Sequence, residues 1–320
     1  MAVYITHESA LAWLRGNDVT GRRRVPRTLE DADACIGAAK AVASACGDVT
    51  VGGVIQLGVG AASERRPSRE VRCHVCNQLR LPFLRAADGI YVAAPELCFV
   101  QLAKSMDLLD SIELGMELCG TYSLGSERAA GRHGVMTSRD EVLSFLGRNA
   151  GMHGAGMARR AMKYVVDGSA SPMESLLAMA FPLPRGMGGR GVRGVELNAP
   201  VRLRRGSRDW MGVSEIRPDL LWRSAGICVE YDSDSWHEDS GARDRDSWRR
   251  LALESVGLRV ITVRKQTAFS PSKLAEIGDI LGRRVCGRVP RKDDLEYQRK
   301  WFALHHRLFS AEHIAWLDEG

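Results

Sequence analysis

Apolar positions along this chain recur with two different periods, and the change from one to the other divides it. Helical spacing runs over residues 7–15. A polar, arginine- and proline-rich connection follows as far as Arg27. Thr28 then stands as an N-cap, with Asp31 at the capping-box position, before an alanine-rich helix reaching about Cys46. Strand-like runs occupy 49–57, broken by Gly52-Gly53, then 70–75 and 89–92. Pro95 opens a strongly apolar helix over 96–105, and a second spans 108–119. After a Gly-, Ser- and Arg-rich loop over 120–134, Ser138 and Glu141 have capping-box spacing for a helix to Leu146; another helix covers 157–166. Asp167-Gly168-Ser169 marks a domain boundary.

Beyond it the pattern shifts toward strands. A helix opens with Ser171 as N-cap and Pro172 in its first turn, and ends by Pro184. Residues 185–193, rich in Gly and Arg, read as the most flexible segment of the chain. Residues 201–204 alternate as a strand does, and 216–222 and 227–231 are strand-like runs joined by a hairpin turn at 223–226. Residues 244–256 have helical apolar spacing, capped by Gly257, and 258–263 form a β-branched strand. The expected organisation is an α/β (α+β) chain. Residues 1–168 form a mixed, mainly helical N-terminal region, 169–288 a mixed sheet flanked by helices, and 289–320 a C-terminal helical tail.

Charge adds a partner to this picture. The chain carries 45 basic and 39 acidic residues, net +6, with basic clusters at 22–24, 65–66, 202–208 and 243–250. Such clusters suit a polyanion such as DNA, though a solvated arginine-rich surface gives the same pattern. No apolar run is long enough to cross a bilayer, and the N-terminus lacks a basic region followed by an apolar core, so a cytoplasmic protein is expected. Its eight cysteines are expected as reduced thiols. Cys73-His74-Val75-Cys76 has the spacing of half a zinc site, but no second ligand pair follows, and strand alternation would separate the two thiols.

The chemistry-bearing segment is Pro218-Asp219 followed by Val229-Glu230-Tyr231-Asp232. Alternation places Glu230 and Asp232 on one face of a strand, and a hairpin can bring Asp219 to the same face. Three clustered carboxylates raise one another's pKa unless a cation joins them, and Mg2+ or Mn2+ favours such oxygen ligands. Glu174, in the first turn of the helix after Ser171, either completes the helix cap or faces the same site.

From Glu174 to Lys265 the chain resembles the very-short-patch-repair branch of the PD-(D/E)xK nucleases. The resemblance rests on Glu174, Pro218-Asp219, Val229-Glu230-x-Asp232, Trp236-His237 and Asp246-x-x-Arg249 in that order. It implies a restriction-endonuclease-like fold, metal ligation by Asp219 and Glu230, a role for His237 near the scissile phosphate, and support from Asp246 and Arg249. Two departures stand out: Asp232 occupies the place of the lysine that names the superfamily, and Asp232-Ser233-Asp234 replaces the usual Asp-Gly turn. The N-terminal region loosely resembles AbiEi-type antitoxins through Tyr91-Val92-Ala93-Ala94-Pro95-Glu96, which implies DNA binding through a winged helix. Two functions follow: a metal-dependent DNA endonuclease in defence or repair, or a non-catalytic DNA-binding regulator that uses the same fold as a scaffold.

Overall fold

The computed structural model describes residues 2–78, 80–124, 134–204, 206, 212–232, 240–287, 289 and 294–314, with the backbone alone for 240–246. The chain is mixed α/β and divides into two compact units, Met1–Val165 and Val166–Gly320. Among the described residues no helix is long and apolar enough to cross a membrane.

The first unit is built on a sheet. Its elements are β1 (Val3–Ile5), α1 (His7–Gly16), β2 (Val25–Arg27), α2 (Ile36–Cys46), β3 (Ile55–Val59), β4 (Val71–Val75), β5 (Leu81–Ala87), β6 (Ile90–Ala93), α3 (Pro95–Ala103), α4 (Leu108–Leu118), α5 (Arg139–Arg148) and α6 (Ala155–Ala161). Six of these, in the order β2-β5-β6-β1-β3-β4, make a mixed sheet in which β1 runs parallel to β6 and β3 parallel to β4. Three of its strands, β1, β2 and β5, were not expected, because they give no alternating signal. In β1 the whole Val3-Tyr4-Ile5 run is buried, as in a strand covered on both faces. In β2 and β5, Pro26 and Pro82 interrupt the pattern; β2 lies at the sheet edge, where a missing N–H is tolerated. The expected strand over 49–57 begins later, at Ile55, because Gly52 and Gly53 (φ 60° and 75°) turn the chain between Val51 and Val54. Helix α3 is buried at all nine positions, which explains its nearly unbroken apolar sequence.

The second unit contains α7 (Pro172–Ala180), β7 (Glu196–Leu197), β8 (Val201–Arg202), β9 (Glu215–Ile216), β10 (Leu220–Trp222), β11 (Ile227–Asp232), α8 (Ser240–Ser255), β12 (Arg259–Arg264), α9 (Pro271–Leu281) and α10 (Leu295–Phe309). Its main sheet has the order β12-β11-β10-β7. Strands β10 and β11 form an antiparallel hairpin, while α8 crosses from β11 to its parallel neighbour β12. The run expected as one strand over 216–222 is two: β9 pairs with β8 in a separate ribbon, and β10 starts only after Pro218. Leu221 and Cys228 pack with Ala252 and Leu253 of α8. On the opposite face Trp222 meets Phe181, which caps α7, with ring centroids 6.3 Å apart, and its Nε1 donates to the Val192 carbonyl at 3.1 Å. The sheet is therefore covered on both faces.

Residues 185–193 are not a free loop. A Cβ on Gly188 would lie 2.3 Å from the Lys300 carbonyl oxygen, and one on Gly189 would lie 2.1 Å from that of Leu183. The glycines are there because backbone packs on backbone. Arg190 beside them is buried, donates to Tyr297 Oη and pairs with Asp279. The segment expected as a C-terminal tail carries α10, which buries Tyr297, Trp301, Leu304 and Leu308 in the same unit.

Candidate active site

The hairpin register determines the heart of the site. Leu220 pairs with Val229, so Asp219, one residue earlier, stands opposite Glu230 on the same face as Leu221 and Cys228. Because β10 begins at Leu220, the Tyr231 amide lies beyond the backbone ladder, and Asp219 Oδ2 accepts it at 2.6 Å. Burial raises the Asp219 pKa above the usual carboxylate range, against that hydrogen bond and the nearby Arg249 guanidinium. Glu230 is pushed up to about 7, first by burial and next by the Asp219 charge.

Arg249, on α8, partly offsets this crowding. Its Nε donates to Glu230 Oε2 at 2.9 Å, its Nη2 lies 3.3 Å from Oε1, and Nη2 also donates to the Arg217 carbonyl. The third acid is Glu174. At the start of α7 its carboxylate does not close a capping box on the Ser171 amide but is held by the residues around that cap. The Ser171 hydroxyl accepts the Glu174 amide at 3.2 Å as the N-cap, while the carboxylate accepts from the Ala170 amide at 2.8 Å and the Ser171 hydroxyl at 2.9 Å. The side chain is nonetheless buried, and burial followed by the charge of Asp219 pushes its pKa up to about 7. Its charge also raises Glu230.

Asp232 is on the same face of β11 as Glu230 but turns to its cross-strand neighbour Arg264, 3.6 Å away. Asp246 belongs to α8, its side chain lying outside the described residues, and His237 lies outside them altogether. A participant without a sequence signal is Asn198. Its main-chain amide donates to the Asp219 carbonyl at 3.1 Å, and its Nδ2 donates to Glu174 Oε2 at 2.6 Å and to the Gly168 carbonyl at 2.9 Å. Asn198 has φ 47°, in the left-handed region that Asn tolerates better than most residues.

Comparison with protein families, with curated proteins and with solved structures gave no match. The chemistry open to this chain therefore rests on the geometry of its own site.

Among the described residues, no group of three or more His, Cys, Asp or Glu side chains is set closely enough to hold a metal ion by itself. Magnesium does not require one, since it is commonly held by one or two carboxylates, with waters and substrate phosphates completing its shell. Asp219 and Glu230 fit that need: both are hard oxygen donors, both are destabilised as anions where they stand, and Asp219 Oδ1 accepts no hydrogen bond from the described residues.

The raised pKa values make a prediction about stability. Glu174 and Glu230 titrate near 7 when folded and near 4.3 when unfolded, so the folded state holds more protons between those values. Their contribution is fully present below about pH 4 and is lost as pH rises through 7. The melting temperature should fall between pH 5 and 8, by on the order of 1–3 kcal/mol of stability, in the absence of divalent ions. Millimolar Mg2+ should restore most of the loss at pH 8 and little at pH 5, because it binds the deprotonated folded state. Equal Mg2+ shifts in wild type, Asp219→Ala and Glu230→Gln would show that the ion acts elsewhere.

Proposed function

We propose that the second unit is a restriction-endonuclease-like domain that hydrolyses phosphodiester bonds in DNA with Mg2+ or Mn2+. The observation that carries this reading is the set of three crowded, partly or fully buried carboxylates, Glu174, Asp219 and Glu230, beside one arginine. Structural ion pairs seldom gather three like charges around a single cation, whereas metal-assisted hydrolysis needs such a set. Asp219 and Glu230 would hold the ion, and Glu174, oriented by Asn198 and Ser171, would accept a proton from water near them. When bound, the ion supplies an activated water and stabilises charge on the attacked phosphate. Arg249 would shift from Glu230 toward the phosphate as the ion takes over neutralisation. Asp232 and Arg264 lie farther along β11 and β12, where they would set the surface that the DNA backbone meets.

A second reading, a DNA-binding regulator on a nuclease scaffold, is favoured by two specific features. Arg249 engages both oxygens of Glu230, the arrangement of a closed ion pair, and no lysine stands in the place of Asp232. The deciding experiment incubates the full-length protein with supercoiled plasmid and Mg2+ or Mn2+. Nicking supports the enzyme. Binding with no cleavage under either ion supports the regulator.

The basic cluster at 22–24 gives a further prediction. Arg24 is committed to the protein, donating to the Met136 carbonyl at 2.8 Å and lying 3.5 Å from Glu96, whereas Arg22 and Arg23 are exposed. Replacing Arg22 and Arg23 by alanine should therefore reduce the salt dependence of DNA binding by about one unit of slope for each phosphate that is no longer neutralised, at most about two. An unchanged slope would remove this cluster from the DNA-binding surface. Arg24→Ala should instead lower the melting temperature.

A further inference from the structure

In the first unit a cleft of about 300 Å3 opens beside β4 and α3, lined by His7, His74, His153, Arg65, Lys104 and Gln101 among others. Among the described residues no acidic side chain lines it. Neither Arg65 nor Lys104 has an ion-pair partner among the described residues, and both are exposed. Two uncompensated cations and three imidazoles thus face one small space.

The histidines are held there by construction. His7 adopts φ 53°, an uncommon backbone conformation for a residue with a side chain, and three contacts keep it in place. Its amide donates to Gln101 Oε1 at 3.2 Å, its carbonyl accepts from Cys98 Sγ at 3.5 Å, and its ring stacks on His74 with centroids 3.6 Å apart. His74 is fixed in turn by Gln56 Oε1, 2.7 Å from its Nε2. Nδ1 of His7 is buried without a hydrogen-bond partner among the described residues. Burial, the neighbouring ring and Lys104 keep His7 neutral, its pKa lowered to about 3. His74 is lowered as well, chiefly by burial, with Arg72, Lys104 and Arg65 acting in the same direction and Glu8 against them. Glu8 is the one carboxylate among these influences, and it is outweighed by burial and the three cations.

We infer that this cleft binds a small molecule carrying a phosphate group, with Arg65 and Lys104 neutralising the phosphate and the His7–His74 pair supplying hydrogen bonds. A dianion with several acceptor oxygens matches two cations, whereas a carboxylate leaves one of them unmatched. The cleft's size is that of a small-ligand pocket, too small to admit a nucleic-acid duplex. Val75 and Met152 in the lining offer an apolar surface to the rest of the molecule. Zinc is a poorer occupant: Gln101 Nε2 donates to Cys76 Sγ at 3.6 Å, Cys73 Sγ lies 3.9 Å from the Ala34 carbonyl, and the two thiols have separate partners.

The test is calorimetric titration of the full-length protein at fixed ionic strength with inorganic phosphate, ribose 5-phosphate and acetate. Phosphate and ribose 5-phosphate should bind, the ester more tightly, and acetate should not. Arg65→Ala and Lys104→Ala should each weaken binding by about tenfold without changing the melting temperature, since both side chains are exposed. The imidazole NMR signals of His7 and His74 should move during the phosphate titration. Absence of binding at millimolar phosphate, equal binding in both variants, or acetate binding as well as phosphate would overturn the inference. A DNA duplex with 5′-hydroxyl ends should not displace ribose 5-phosphate; displacement would assign the cleft to a nucleic-acid surface and overturn it too. Because these readouts concern the first unit, they stand whether or not the second unit cleaves DNA.

Discussion

Glu230→Gln should lower plasmid nicking by about 100- to 1,000-fold while leaving duplex binding unchanged or tighter. The amide keeps the shape of the side chain and a hydrogen bond with Arg249 (Nε to Oε2 at 2.9 Å in the native pair), so the hairpin and α8 should hold their places. What it removes is a negative charge. On the proposed reading, that charge would repel DNA phosphates in the ground state and would be needed to hold the metal ion. Asp219→Ala should be equally inactive, but it also strips the Tyr231 amide of its acceptor and so should melt at lower temperature. The pair of variants separates loss of charge from loss of structure. If Glu230→Gln nicks plasmid at the wild-type rate, the carboxylate set is not the catalytic centre. For the wild type, nicking should rise with pH through about 7, as Glu174 and Glu230 lose their protons.

The largest effect on stability should come from Trp222→Ala, about 3–5 kcal/mol. Trp222 is 1% exposed, packs edge-on against Phe181 and satisfies the Val192 carbonyl. Truncation leaves a cavity between the sheet and α7, together with a buried oxygen without its donor. Chemical denaturation monitored by circular dichroism reads the change directly; a loss under 1 kcal/mol would mean that α7 does not depend on this contact. Since Glu174 sits at the start of α7, nicking should decline along with stability.

Much of the second unit's hairpin was legible from sequence because a hairpin is local. A strand-like run, a turn near 223–226 and a second such run predict the partnership of Asp219 and Glu230 before any tertiary contact is known. The place of Asp232 was not legible in the same way. Its neighbour Arg264 arrives through a parallel crossover, and sequence does not reveal which side chains face each other across such a pair. The six-stranded sheet was obscured for a different reason: buried or proline-bearing strands such as β1 and β2 lack the period-two pattern that identifies strands. Glycine misled at 185–193, where the same residue that permits mobility in a loop permits backbone-on-backbone packing beneath α10.

Asn198 places an unusually narrow constraint on one codon. Its backbone at φ 47° admits Gly, Asn and Asp with little strain, while its side chain must donate to the Glu174 carboxylate at 2.6 Å and to the Gly168 carbonyl at 2.9 Å. Glycine meets the first demand but has no donor. Aspartate meets it too, yet sets a fourth negative charge against an acid already reluctant to ionise. Glutamine carries the amide, but at the wrong length and on a backbone it resists. The substitutions that relax this position are therefore few, and each one that keeps the chain's path gives up the orientation of Glu174.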